Sequence, residues 1–124
     1  MIVHVDTSAL IDALTGPRRS LPALIAIVDA GHRLDVSAIV LYEWLRGPRK
    51  PAELAAQEAL LPADRAWPFG PAEAARAARL YAQVRRARGR EIDLAIAACA
   101  IEAEAALWTL NPRDFEGIPA LQTI

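Results

Sequence analysis

Apolar and polar positions change rhythm repeatedly along this chain, and each change marks an element. The apolar run at 2–5 predicts a strand ending at Asp6. Thr7 or Ser8 can cap the helix that follows, whose apolar side carries Ala9, Leu10, Ala13 and Leu14 until Gly16-Pro17 stops it. A second helix is expected over 21–30, with Gly31 where a C-terminal cap belongs, and a short strand over 34–36. Ser37 is placed to cap a helix over 38–46 that Gly47-Pro48 ends. Residues 51–61 read as helix and 66–69 as a short strand between prolines. A long helix over 71–88 should turn Ala75, Ala78, Leu80 and Val84 inward and close at Gly89. The nearly continuous apolar stretch at 91–105 predicts a central, buried helix. A strand at 106–110, a loop at 111–119 and an edge strand at 121–124 complete the chain.

Strands alternating with pairs of helices argue for an α/β fold with a mainly parallel sheet covered on both faces. A length of 124 residues suits one domain, and the chain shows no internal repeat, low-complexity tract or linker. In such sheets ligands bind beyond the carboxyl ends of the strands. Asp6 and the segment 109–114 are expected at those ends.

Most of the fifteen acidic residues sit in polar surroundings or at helix ends, among them Glu53, Glu58, Glu73, Glu102, Glu104 and Glu116. Three do not. Asp6 ends an apolar strand, Glu43 interrupts the apolar helix 38–46, and Asp93 lies in the most apolar helix of all. Each has a structural reading: Asp6 as a helix cap, Glu43 paired with Arg46, Asp93 complementing a helix dipole. All three together are harder to explain so, because a carboxylate removed from water needs a partner, hydrogen bonds or a metal ion. If they converge, a hard divalent cation relieves their repulsion. An all-oxygen set favours Mg²⁺, with Mn²⁺ as a substitute, over zinc. His4 and His32 are isolated and lack metal-ligand spacing. Asn111 and Asp114 favour turns in their own right and add two further oxygen donors.

Composition narrows the field. A hydrophobic fraction of 54% gives ample material for a core, and a net charge of −1 excludes wholesale electrostatic capture of nucleic acid. A single cysteine, Cys99, excludes an internal disulfide. No apolar run approaches the roughly 18 residues that span a bilayer, and the N-terminus lacks a signal-like segment, so a cytoplasmic protein without membrane association is expected. Lys50 is the one lysine, against thirteen arginines.

Four segments carry a family resemblance: Val3-His4-Val5-Asp6-Thr7-Ser8-Ala9-Leu10, Ser37-Ala38-Ile39-Val40-Leu41-Tyr42-Glu43, Asp93-Leu94-Ala95-Ile96-Ala97-Ala98 and Thr109-Leu110-Asn111-Pro112-Arg113-Asp114-Phe115. In this order and spacing they resemble the four motifs of PIN domains, and more narrowly those of VapC toxins from bacterial toxin–antitoxin pairs. The resemblance implies an α/β/α sandwich, Mg²⁺-dependent endoribonuclease activity, homodimers, and neutralisation by a small VapB-type antitoxin through which operator DNA is reached. It implies that Asp6, Glu43 and Asp93 are the principal acids, with Thr7 and Thr109 orienting them. In the fourth acidic position this chain has Asn111, a neutral and weaker ligand, with Asp114 three residues beyond to take over.

On this reading Asp6 and Asp93 hold the ion. Glu43 joins directly or through a water and can serve as general base, and Asp114 or Asn111 completes the set. Attack on structured RNA by metal-activated water leaves 5′-phosphate and 3′-hydroxyl ends. Arg86 and Arg90, in the basic run before Asp93, are candidates for phosphate contact. Leu10, Leu14, Leu21, Leu24, Ile25 and Trp44 are candidates for a groove that takes an antitoxin helix. Two other parallel-sheet classes fit poorly. A phosphoacceptor receiver wants a late lysine where this chain has none, and a haloacid-dehalogenase-like phosphatase wants an acid where Ser8 stands. A competing reading of another kind is a catalytically weak PIN domain that works chiefly by binding its antitoxin, favoured by Asn111.

Overall fold

In the computed structural model, which describes residues 1–124, strand β1 (Ile2–Val5) runs through the middle of the molecule. Val3, His4 and Val5 are all buried, as the central strand of a sheet covered on both faces requires. Strands β2 (Arg33–Asp35) and β3 (Ala106–Trp108) flank it in parallel, giving the order β2-β1-β3. The register pairs Val3 with Leu34 and Ala106, and His4 with Asp35 and Leu107. All three strands therefore end at the same edge, with Asp6 just beyond β1 and Thr109 just beyond β3. The Asp6 amide donates to the Trp108 carbonyl at 2.9 Å, so the ladder continues into the site.

Six helices surround the sheet: α1 (Thr7–Leu14), α2 (Leu21–Asp29), α3 (Ala38–Arg46), α4 (Pro51–Leu60), α5 (Pro71–Gln83) and α6 (Glu91–Glu102). Ser37 caps α3 as expected, its hydroxyl accepting from the Val40 amide at 3.2 Å. In α6 every residue from Leu94 to Ala100 is buried, which makes it the core helix that its composition predicts. No helix is long and apolar enough to cross a membrane.

Several expectations are corrected. Helix α5 ends at Gln83, not at Arg88: Val84 turns extended and, with Ala87, buries itself in the core. At helical spacing both would simply have continued the stripe of Leu80, so periodicity alone missed the break. The helix is also rotated from the expected face. Ala75 and Ala78 are exposed, whereas Glu73 and Leu80 are buried. Glu73 is thus not a surface acid; it accepts from Trp67 Nε1 and from the Gly70 amide, both at 3.0 Å. Its burial pushes the carboxyl pKa up, but these hydrogen bonds prevail and hold it below the usual range.

The strands expected at 66–69 and 121–124 shrink to single parallel bridges, Ser37 with Trp67 and Leu107 with Thr123. Pro68 cannot donate to a ladder, which limits the first of these. Helix α6 stops at Glu102 and β3 at Trp108, each short of its expected end. Within 111–119, residues Pro112–Phe115 form a 3₁₀ turn. Finally, Leu10, Leu14, Leu24 and Trp44 are core residues and line no groove; of that set only Ile25 is well exposed.

Candidate active site

Asp6 is the residue before α1, where an acid would ordinarily cap the helix, yet its side chain makes no capping bond. Instead Oδ2 accepts from Thr109 Oγ1 at 2.7 Å and from Ser8 Oγ at 3.0 Å. Burial raises the Asp6 pKa; these bonds oppose the rise without cancelling it, and Glu43 adds repulsion. The hydroxyls are themselves anchored. Ser8 Oγ accepts from the Leu110 amide at 3.1 Å and Thr109 Oγ1 from the Asn111 amide at 3.0 Å. The start of α1 is thereby stitched to the segment leaving β3.

Glu43 reaches the same region from the middle of α3. Thr7 Oγ1 donates to its Oε1 at 2.6 Å, and Arg46, one helical turn away, approaches Oε2 at 3.4 Å. Both the pairing with Arg46 and the contact with the Asp6 segment are therefore present.

Asp93, in the first turn of α6, is half-buried and has no hydrogen bond to offset the burial. Desolvation, followed by repulsion from Asp114, Asp6 and Glu43, drives its pKa up to about 6, with Arg90 pulling the other way. The four acids thus lie within electrostatic reach of one another, although as they stand no three of them are close enough together to hold a metal ion. Like charges keep apart unless something positive sits between them.

Asn111 contributes through its backbone. Its carbonyl accepts from the Asp114 amide at 3.0 Å, which opens the turn that presents Asp114. Asp114 is exposed beside Asp93, and Phe115 next to it is anchored in the core. Arg86 is exposed with a left-handed backbone (φ 55°). Arg90 is engaged internally, donating from Nη2 to the carbonyls of Asp114 and Glu116, both at 3.0 Å.

In chemical type, though not in spacing as it stands, the donor set suits a hard divalent ion. It consists of four carboxylates at the carboxyl edge of the sheet, with hydroxyls behind them. The soft and borderline ligands are elsewhere: Cys99 is buried inside α6 and His4 within β1. Sequence reasoning did not single out Ser8 as a partner of Asp6. The available signal was a short hydroxyl two residues after a buried acid, a spacing that lets it bond back locally.

The PIN-domain family profile matches residues 3–121 of this chain. Over 121 residues the chain is 34% identical to Ribonuclease VapC19 of Mycobacterium tuberculosis, covering 95% of each. A toxin–antitoxin complex from Klebsiella pneumoniae contains a chain with TM-score 0.73 and 26% identity, over 98% of this chain and 95% of that one. VapBC2 from Rickettsia felis, solved bound to a DNA fragment from its promoter, aligns with TM-score 0.76 over 100% of this chain and 98% of its counterpart. At 22% identity that likeness is one of fold.

Proposed function

This chain belongs to the PIN-domain family and is of the VapC type, and from that membership we propose that it is a Mg²⁺-dependent endoribonuclease, the toxin of a toxin–antitoxin pair. The observation that carries the reading is the meeting of four carboxylates from four separate segments, with Asp93 pushed up to about 6 by its neighbours. A folded chain that tolerates such repulsion has a use for a cation. The name of the Mycobacterium tuberculosis relative supports ribonuclease activity.

In this reading Asp6 and Asp93 hold Mg²⁺, for which Mn²⁺ can substitute, and Asp114 is a further donor. When bound, the ion lowers the pKa of water and offsets charge on the scissile phosphate. Thr109 and Ser8 fix one oxygen of Asp6, so that the carboxylate would be held in place for the ion. Thr7 fixes one oxygen of Glu43, so that the carboxylate is oriented to take the proton of the attacking water. Arg46 approaches the other oxygen at 3.4 Å and leaves the first to Thr7. Exposed Arg85, Arg86 and Arg88, between α5 and α6, offer phosphate contacts that hold structured RNA without reading its sequence.

The chain acts in the cytoplasm as a homodimer, restrained by a VapB-type antitoxin that brings the pair to operator DNA. Large apolar side chains left exposed on α2 and α3 (Ile25, Val28, Tyr42 and Leu45) supply surface for such partners. A second reading, a weak nuclease that works mainly through antitoxin binding, is favoured by Asn111, a neutral residue in the fourth acidic position. The two readings separate in one assay. Purified protein with Mg²⁺ should cut structured RNA to 5′-phosphate and 3′-hydroxyl ends, and Asp6→Ala should not. Equal residual cleavage by both proteins supports the binding reading, and a 2′,3′-cyclic phosphate product contradicts hydrolysis by water.

A further inference from the structure

Arg90 stands among the basic residues that precede Asp93, but its guanidinium is not free. It is the residue before α6, its carbonyl accepting from the Leu94 amide at 2.9 Å, so its backbone is rigidly placed three residues ahead of Asp93. From there Nη2 straddles Phe115, donating to the carbonyls of Asp114 and Glu116. The turn it grips is a single short 3₁₀ turn, closed at its ends by backbone bonds from Asp114 to Asn111 and from Glu116 to Arg113 at 3.3 Å. The carboxylate on that turn and the carboxylate of Asp93 repel each other. Without that grip the repulsion would move the exposed Asp114 carboxylate away from Asp93, about the anchor of Phe115.

We propose that Arg90 is a positioning residue: by bridging the Asp114 and Glu116 carbonyls from the start of α6, it holds the Asp114 carboxylate against Asp93 and makes Asp114, not Asn111, the fourth oxygen donor for the divalent ion. The inference rests on the metal-dependent reading above. It assigns Arg90 to the metal site and leaves RNA contact to its neighbours.

The test measures Mn²⁺ binding to the full chain, without RNA, from the electron paramagnetic resonance signal of free Mn²⁺. Arg90→Gln and Asp114→Asn should each weaken binding on the order of tenfold, the scale of an outer-shell orienting partner. The double variant should be no weaker than either single one, because both remove the same donor. Arg90→Lys keeps the charge and one carbonyl contact; it should fall between wild type and Arg90→Gln, and it serves if Arg90→Gln does not fold. Unchanged Mn²⁺ affinity in Arg90→Gln overturns the proposal, as do losses that multiply to roughly a hundredfold in the double variant. So does a defect confined to RNA affinity with a shallower salt dependence, the mark of a phosphate contact. Wild-type protein that binds no Mn²⁺, or Asp6→Asn and Asp93→Asn that bind it normally, would overturn the metal reading itself and the clamp with it.

Discussion

Asp93 shows how far one side chain can be set against the stability of its own fold. Its folded-state pKa, about 6, lies above its ordinary 3.8, so the stability linked to its proton is complete below pH 3.8 and lost as pH rises through 6. At pH 7, with chelator present, Asp93→Asn should therefore stabilise the protein, by about 1 kcal/mol once solvent screening at a half-buried site is allowed for. Urea unfolding measures this, and the gain should vanish at pH 3.5. Thr109→Val probes the opposite side of the site. It removes the 2.7 Å bond to Asp6 and the acceptor for the Asn111 amide. It should cost about 1–2 kcal/mol in thermal unfolding and roughly tenfold in RNA cleavage.

The three acids stood out in the sequence because each ends or interrupts an apolar segment, where a carboxylate has no business unless something compensates it. Ser8 did not, and Arg90 stood out only as a candidate phosphate contact, since a hydroxyl after a strand and an arginine before a helix occur everywhere. Their roles depend on which distant backbone groups the fold brings within reach.

Among the elements, α3 was legible whole because cap, apolar run and stop agree, and α6 by its apolar run alone, which overran its end, whereas α5 misled. Val84 and Ala87 fit a helical stripe and an extended buried turn equally well, and tertiary burial chose the turn. Glu73 is the other lesson of α5. An acid near a helix start looks solvated, but here it closes the entry loop by binding Trp67 and Gly70. Glu73→Ala should therefore lower stability by about 2 kcal/mol, more than an exposed first-turn acid would, as followed by thermal denaturation. The bridges at Trp67 and Thr123 were expected as strands because apolar residues beside prolines or a chain end do not reveal how many ladder bonds they can make.

For the molecule as a whole, the parallel sheet has two consequences. It gathers Asp6 and the segment after β3 at one edge, and it forces β1 to be buried on both faces. The second consequence leaves His4 with both ring nitrogens unpaired beside Trp67. Desolvation keeps its pKa below the ordinary 6.5, against the pull of Asp35 and with a smaller push from Arg33. The neutral ring suits the fold, so stability is full above pH 6.5 and falls as pH drops and the unfolded chain takes up the proton. His4→Phe should flatten that acid limb and add about 1 kcal/mol at pH 5. A parallel sheet with β1 buried in it was readable from order and hydropathy, though with two strands too many; the packing that leaves a polar ring without partners was not.

The central claim is that four scattered carboxylates form one cation site. Anomalous diffraction from crystals soaked in Mn²⁺ tests it most directly. The account predicts a peak at the carboxyl edge of the sheet, bounded by Asp6 and Asp93, with Asp114 and Glu43 at its margin. A map without a peak there, at Mn²⁺ concentrations that support RNA cleavage, would contradict it.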